Sequence, residues 1–226
     1  MMKSIGMIVA VEMDSVLSRY GASGVREDRG GFAVYHYQME GFTLHVVNSG
    51  VGELAAAAAT ELLIDAYGVE LVVNFGVVGG LTEEMALART CVVEKIVHYD
   101  FDLSGIDPVE PGRYPGYEDI YIPTTRSLLE RAAEIVPGLR RVICASADKF
   151  IGDAAAKAAL HEKYGADICE MEAAGVVLTC NRCDIPCLVM KTVSDGIDGG
   201  AEEFYAEVRR SSELCLEITE KIIKEL

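Results

Sequence analysis

Short apolar runs alternate along the chain with segments whose apolar residues recur every three or four positions. The short runs are rich in Val and Ile, side chains that suit a half-buried or buried pleated surface. They predict strands over residues 5–11, 32–37, 42–47, 71–75, 91–97, 141–145 and 187–193. Helices are predicted over 52–67, 125–136, 153–164, 171–182 and 201–224. The first of these is the clearest, because alanines and leucines give it high intrinsic propensity and Gly68 supplies a stop. The last is amphipathic, with Phe204, Val208, Leu214, Leu216 and Ile218 set among polar neighbours, and is expected to pack on the sheet as a closing element. Strands and helices alternating over nearly the whole length imply an α/β architecture, a largely buried sheet covered by helices.

Length adds that one domain, 1–226, is the expectation: 226 residues suffice for a single sizeable core, and no repeat, low-complexity tract or Pro/Ser linker divides the chain. Half the residues are hydrophobic and none is tryptophan, the composition of an ordinary globular protein. The least regular stretch is 100–123, which holds four of the six prolines together with Tyr114, Tyr117 and Tyr121. From composition alone it reads equally as a cover over a site or as a surface loop.

A formal charge of −16 argues against sequence-independent attraction to a nucleic-acid backbone, which depends on basic side chains displacing counterions, but is compatible with an uncharged nucleoside. No apolar run reaches the roughly 18–20 residues that span a bilayer, and Met1-Met2-Lys3-Ser4 lead straight into a strand-like segment, so no membrane or export signal is read and the cytoplasm is the expected location. The seven cysteines lie mostly in apolar segments and read as small core residues in a reducing compartment. Cys180, Cys183 and Cys187 have a metal-like spacing, yet a second close pair and a nearby histidine are missing, so no metal is expected.

Four motifs are candidates for chemistry. Asn74-Phe75-Gly76-Val77-Val78-Gly79-Gly80 follows an apolar strand, placing its glycines at a carboxyl end where α/β sheets bind ligands, although glycines that only make a turn are the plainer reading. Ser49-Gly50-Val51-Gly52 precedes the alanine-rich helix, whose N-terminal amides would suit an electronegative group. Cys169-Glu170-Met171-Glu172 and Val193-Ser194-Asp195-Gly196 put acids at a helix start and a strand end, where caps and turns are also common.

Taken in order, these motifs resemble the nucleoside phosphorylase superfamily, most closely its 5′-methylthioadenosine/S-adenosylhomocysteine nucleosidase branch. The likeness extends over residues 5–222 and includes Ala10-Val11-Glu12-Met13-Asp14, His98-Tyr99-Asp100-Phe101-Asp102 and Ser146-Ala147-Asp148-Lys149-Phe150-Ile151. It implies a three-layer α/β/α domain with a central mixed, twisted sheet flanked by helices. It also implies hydrolysis of a purine nucleoside, 5′-methylthioadenosine or S-adenosylhomocysteine, with release of adenine, by a homodimer that needs no cofactor. Cleaving an N-glycosidic bond builds positive charge on the ribose and negative charge on the leaving base, so an acid is needed near the base and anions near the sugar.

By resemblance Asp195 protonates the purine and Ser194 orients it, Glu172 grips the ribose hydroxyls with Glu170 beside it, and Met171 lines the sugar. Phe150 stacks on the base, the backbone of Ile151 reads its edge, and Gly79 belongs to the glycine-rich wall. The tyrosine-rich stretch after Phe101 closes near the 5′ substituent. The attacking side departs from the pattern: Asp14 stands at the water-activating position where a glutamate is usual, with Glu12 matching a different acid of the same turn. Val77 replaces a hydroxyl, and Lys191 replaces an arginine whose fork it lacks. Hydrolysis with Asp14 as base is the expectation; a purine nucleoside phosphorylase and a nucleoside-binding protein that has lost the reaction are the alternatives.

Overall fold

The computed structural model describes residues 3–21 and 24–226; Met1 and Met2, part of the expected lead into the first strand, and Ala22 and Ser23 lie outside the described residues. The elements run β1 (Lys3–Val9), α1 (Met13–Tyr20), β2 (Val25–Arg29), β3 (Phe32–Gln38), β4 (Phe42–Asn48), α2 (Glu53–Tyr67), β5 (Leu71–Gly80) and β6 (Thr90–His98). They continue with β7 (Ile122–Pro123), α3 (Arg126–Ile135), β8 (Arg140–Ser146), α4 (Ala154–Tyr164), β9 (Ile168–Glu170), α5 (Ala173–Cys183), β10 (Cys187–Asp195) and α6 (Ala201–Ile223).

Successive side chains of a strand point to opposite faces, and this builds the layers. On β5, Val72 packs in a cluster with Ala56, Ala59 and Leu63 of α2 and with Val176 and Val177 of α5. Its neighbour Val73 packs on the other side with Leu129 of α3 and Leu216 and Ile222 of α6. Ile8 and Met7 of β1 divide in the same way. The result is the expected α/β/α sandwich, and the sheet is mixed: β1 runs parallel to β4 and β5, whereas β3 is antiparallel to both β2 and β4. Sequence did not reveal that half of the sheet closes on itself. The strand order is β10-β6-β8-β9-β5-β1-β4-β3-β2, and β10 also pairs with β5, so five strands form a ring from which β1, β4, β3 and β2 extend as an open sheet, while β7 pairs with β6.

All seven predicted strands and five predicted helices form, with ends within two residues of expectation except at β5. That strand continues through the glycine-rich motif to Gly80 instead of turning after Phe75. Glycine is needed there for close approach: a Cβ on Gly80 would lie 2.1 Å from the Met85 carbonyl oxygen, and one on Gly76 would lie 2.6 Å from Glu12 Oε1. Lacking side chains at Gly79 and Gly80, β5 also accepts β9 as an antiparallel partner. The unpredicted elements are short or polar. α1 holds eight residues where a turn was expected, β2, Val-Arg-Glu-Asp-Arg, is an edge strand without apolar alternation, and β7 and β9 hold two and three residues. No helix among the described residues is long and apolar enough to cross a membrane.

Candidate active site

The carboxyl ends of β1, β5, β9 and β10 meet around a half-open cavity of about 460 Å³, the size range of small-molecule sites. Helix α6 supplies Phe204 and Tyr205 to its mouth, and the turn after β8 supplies Phe150. Phe150 is 47% exposed and forms a T-shaped pair with Phe204 at 5.7 Å.

Four acids line the cavity, Glu12, Glu170, Glu172 and Asp195, and among the described residues no basic side chain does. Glu12 follows β1 at the start of α1 and is buried. Its Oε1 accepts the Val77 N–H at 2.9 Å, and its Oε2 accepts the N–H groups of Ala10 and Val11 at 3.1 and 3.0 Å. A carboxylate has about four acceptor positions, so one remains after these three amides are bound.

Glu170 and Glu172 come from the junction of β9 and α5. Glu170 Oε2 accepts the N–H groups of Glu172 and Ala173 and the ammonium of Lys191 at 3.0 Å. Its Oε1 is buried without a protein partner, an acceptor that a ligand or water would satisfy. Glu172 Oε1 accepts the Gly52 N–H at 2.9 Å. The N-terminal amides of α2 thus hold acids of the protein itself, since Glu53 N–H binds Asp148 Oδ1 at 2.7 Å. That second contact also anchors the turn carrying Phe150. Burial, and then the neighbouring Glu170, raise the Glu172 pKa to about 7. Lys191 is fully buried; desolvation opposes its charge, but Glu170, Glu172 and Glu12 outweigh it and hold the ammonium above the ordinary lysine value.

Asp195 ends β10 with 1% of its surface exposed. Ser194 Oγ lies 3.2 Å from Asp195 Oδ1 and donates toward it and toward the Val78 carbonyl. Lys157 Nζ donates to Asp195 Oδ2 at 2.6 Å. Burial nevertheless raises the Asp195 carboxyl above the usual aspartate value.

Of the residues singled out in the sequence, Asp195, Glu172, Glu170, Met171, Ser194, Phe150, Val77 and Gly79 come together in this cavity. Ile151 lies beside it in a small adjoining pocket shared with Phe150 and Asp195. Lys191 lies behind the wall, reaching the site through Glu170. Asp14 is not brought to this cavity: it is exposed on the first turn of α1. Helical geometry explains the exchange: Met13 and Val16 form the buried face of α1, Asp14 points away from them, and Glu12, just before the helix, turns inward. Within one chain, the stretch after Phe101 borders a separate hollow of about 640 Å³ with His98, Tyr114 and Tyr117.

Lys157 went unnoticed in the sequence. Its signal was its spacing with Leu160 and Tyr164 on the buried face of α4, where a lysine is out of place.

A cavity at the carboxyl edge of a mixed α/β sheet, lined by acids and aromatic rings, has the character of a small-molecule site. Residues 5–225 match the family described as the phosphorylase superfamily. The chain belongs to this superfamily, among its nucleosidases. It is 30% identical to an aminodeoxyfutalosine nucleosidase of Campylobacter jejuni, over 83% of this chain and 85% of the relative. It is 28% identical to a 5′-methylthioadenosine/S-adenosylhomocysteine nucleosidase of Hydrogenovibrio crunogenus, over 84% of each. A solved 5′-methylthioadenosine/S-adenosylhomocysteine nucleosidase of Helicobacter pylori superposes with a TM-score of 0.94 at 26% identity, covering 100% of this chain and 99% of that one.

Proposed function

We propose that the protein hydrolyses the N-glycosidic bond of an adenine nucleoside bearing a 5′ substituent, such as 5′-methylthioadenosine or S-adenosylhomocysteine, and releases adenine. The observation that carries this reading is a cavity lined by three glutamates and Asp195 and, among the described residues, by no basic side chain. Such a lining stabilises an oxocarbenium-like ribose and repels phosphate, which favours water over phosphate as the attacking group.

In this reading the purine lies against Phe150, and Asp195, whose pKa burial raises, gives its proton to a ring nitrogen as the C1′–N9 bond breaks. Ser194 holds the Asp195 carboxyl in orientation. Glu172 and the unpaired Oε1 of Glu170 receive the ribose hydroxyls, with Met171 beneath the sugar. Glu12, and not Asp14, takes the proton of the attacking water through its remaining acceptor position. No organic cofactor enters the reaction, and the active form is a homodimer in the cytoplasm.

The test is a panel of adenine nucleosides, with aminodeoxyfutalosine alongside the two named substrates, each assayed with and without phosphate. Free ribose products and adenine release independent of phosphate are expected, with loss of turnover in Asp195→Asn. Formation of a ribose 1-phosphate that requires added phosphate would replace hydrolysis by phosphorolysis.

A further inference from the structure

Lys157 is wholly buried on α4 yet carries an ammonium group. Leaving a cation there is costly unless its donors are satisfied, and all of them are. Nζ lies 2.6 Å from Asp195 Oδ2, 2.6 Å from the Gly196 carbonyl and 2.9 Å from the Gly199 carbonyl. Glu203 of α6 secures the same turn by accepting the Gly196 N–H at 2.7 Å.

We propose that Lys157 is a positioning residue for the leaving-group acid: its ammonium fixes Asp195 against the 196–199 turn and stabilises the carboxylate formed when Asp195 gives its proton to the purine. This role rests on the function proposed above. A carboxyl that is merely buried keeps its proton but releases it reluctantly. A carboxyl with a preset cation at one oxygen gains stabilisation as its negative charge appears, with no reorganisation. Burial therefore favours the loaded acid, and Lys157 assists its discharge. The other groups that face Asp195 do not duplicate this. Glu203 from α6 is an acid whose charge opposes ionisation, Ser194 is neutral, and the Cys169 thiol from β9 is itself pushed by burial up to about 12. The electron pair of the C1′–N9 bond goes to the purine, the purine takes the Asp195 proton, and Lys157 keeps its own three protons throughout.

Lys157→Met and Lys157→Arg test the role with two leaving groups, adenine from a 5′-substituted adenosine and 4-nitrophenolate from 4-nitrophenyl β-ribofuranoside, which departs without needing a proton. For adenine release, Lys157→Met is expected to lower kcat by about 10²-fold, the scale of assisted proton transfer, with KM within a few-fold. The basic limb of its pH profile moves to higher pH, because Asp195 loses the cation that favours its ionisation. Nitrophenolate release is nearly unchanged, and Lys157→Arg restores most of the adenine rate. Equal losses with both leaving groups, or an unmoved basic limb, overturn the role and reduce Lys157 to a structural anchor. If Lys157→Met does not fold, Lys157→Gln, which keeps donors for the two carbonyls without the charge, is scored by the same criteria. A wild-type protein that releases no adenine from any nucleoside overturns the function itself; an active wild type with an unmoved limb in the variant overturns only the role of Lys157.

Discussion

Glu172→Gln offers a direct measure of what the acidic wall costs the fold. Glu172 is 8% exposed, and its pKa is raised from 4.5 to about 7 by burial and then by Glu170. Because the folded-state pKa lies above the unfolded one, the folded chain binds the proton more tightly. The resulting stabilisation is complete below about pH 4.5, fades as the pH rises through 7 and is absent at pH 8. The shift corresponds to about 3 kcal/mol between the protonated and ionised forms. Glutamine imitates the protonated acid and keeps an oxygen for the Gly52 N–H. At pH 8 the variant should therefore be more stable than wild type by up to about 3 kcal/mol, a rise in Tm of about 6–12 °C for a chain of this size. Near pH 4.5 the two proteins should melt together. Scanning calorimetry at the two pH values reads the difference, and adenine release should fall at least about 10²-fold because the anion beside the sugar is gone. A variant no more stable than wild type at pH 8, or stabilised equally at both pH values, would refute the reasoning.

Glu12→Gln and Asp14→Asn form a paired test of the attacking side. The first should lower kcat by about 10²–10⁴-fold with nucleoside binding retained, and the second, on an exposed position, should change kcat by no more than about twofold. Steady-state kinetics with calorimetric binding checks both. Gly76→Ala would push a methyl group to 2.6 Å from Glu12 Oε1, so a stability loss of about 1–3 kcal/mol in chemical denaturation should accompany loss of turnover. Lys191→Met leaves Glu170 buried without its cation, and urea unfolding at pH 8 should report a loss of about 3–5 kcal/mol.

The elements that announced themselves in the sequence did so through periodicity that survives folding. The alanine-rich α2 ends at Gly68, whose φ of 57° is the left-handed conformation expected of a helix stop. β5 was truncated in the sequence reading because glycines usually mark turns; here they are strand residues, small because Glu12, Met85 and β9 approach from the sides. That requirement is tertiary and leaves no local pattern. The leaving-group half of the candidate site was legible because Glu172, Ser194 and Asp195 lie at the ends of predicted elements. The attacking half is harder to read, because α1 is only eight residues long and which of Glu12 and Asp14 faces the cavity depends on where its first turn begins. Lys157 was hidden for a different reason: one cation on an otherwise ordinary helix gains meaning only when the turn after β10 folds over it.

The continuation of β5 through its glycines also makes it a ruler. Val77 holds Glu12 through its amide, and Gly79 pairs with Asp195 across the ring. Two residues of extended chain, about 6–7 Å, separate the two ends of the cavity. That length is close to the width of a sugar ring, and the covalent geometry of the backbone sets it, not any adjustable side chain. Drift along such a ruler comes only in whole residues, and a slip by one would turn every side chain of the strand to the opposite face. An insertion between Val77 and Gly79 would therefore have to be taken up as a bulge or shift the spacing of the two ends by a full residue.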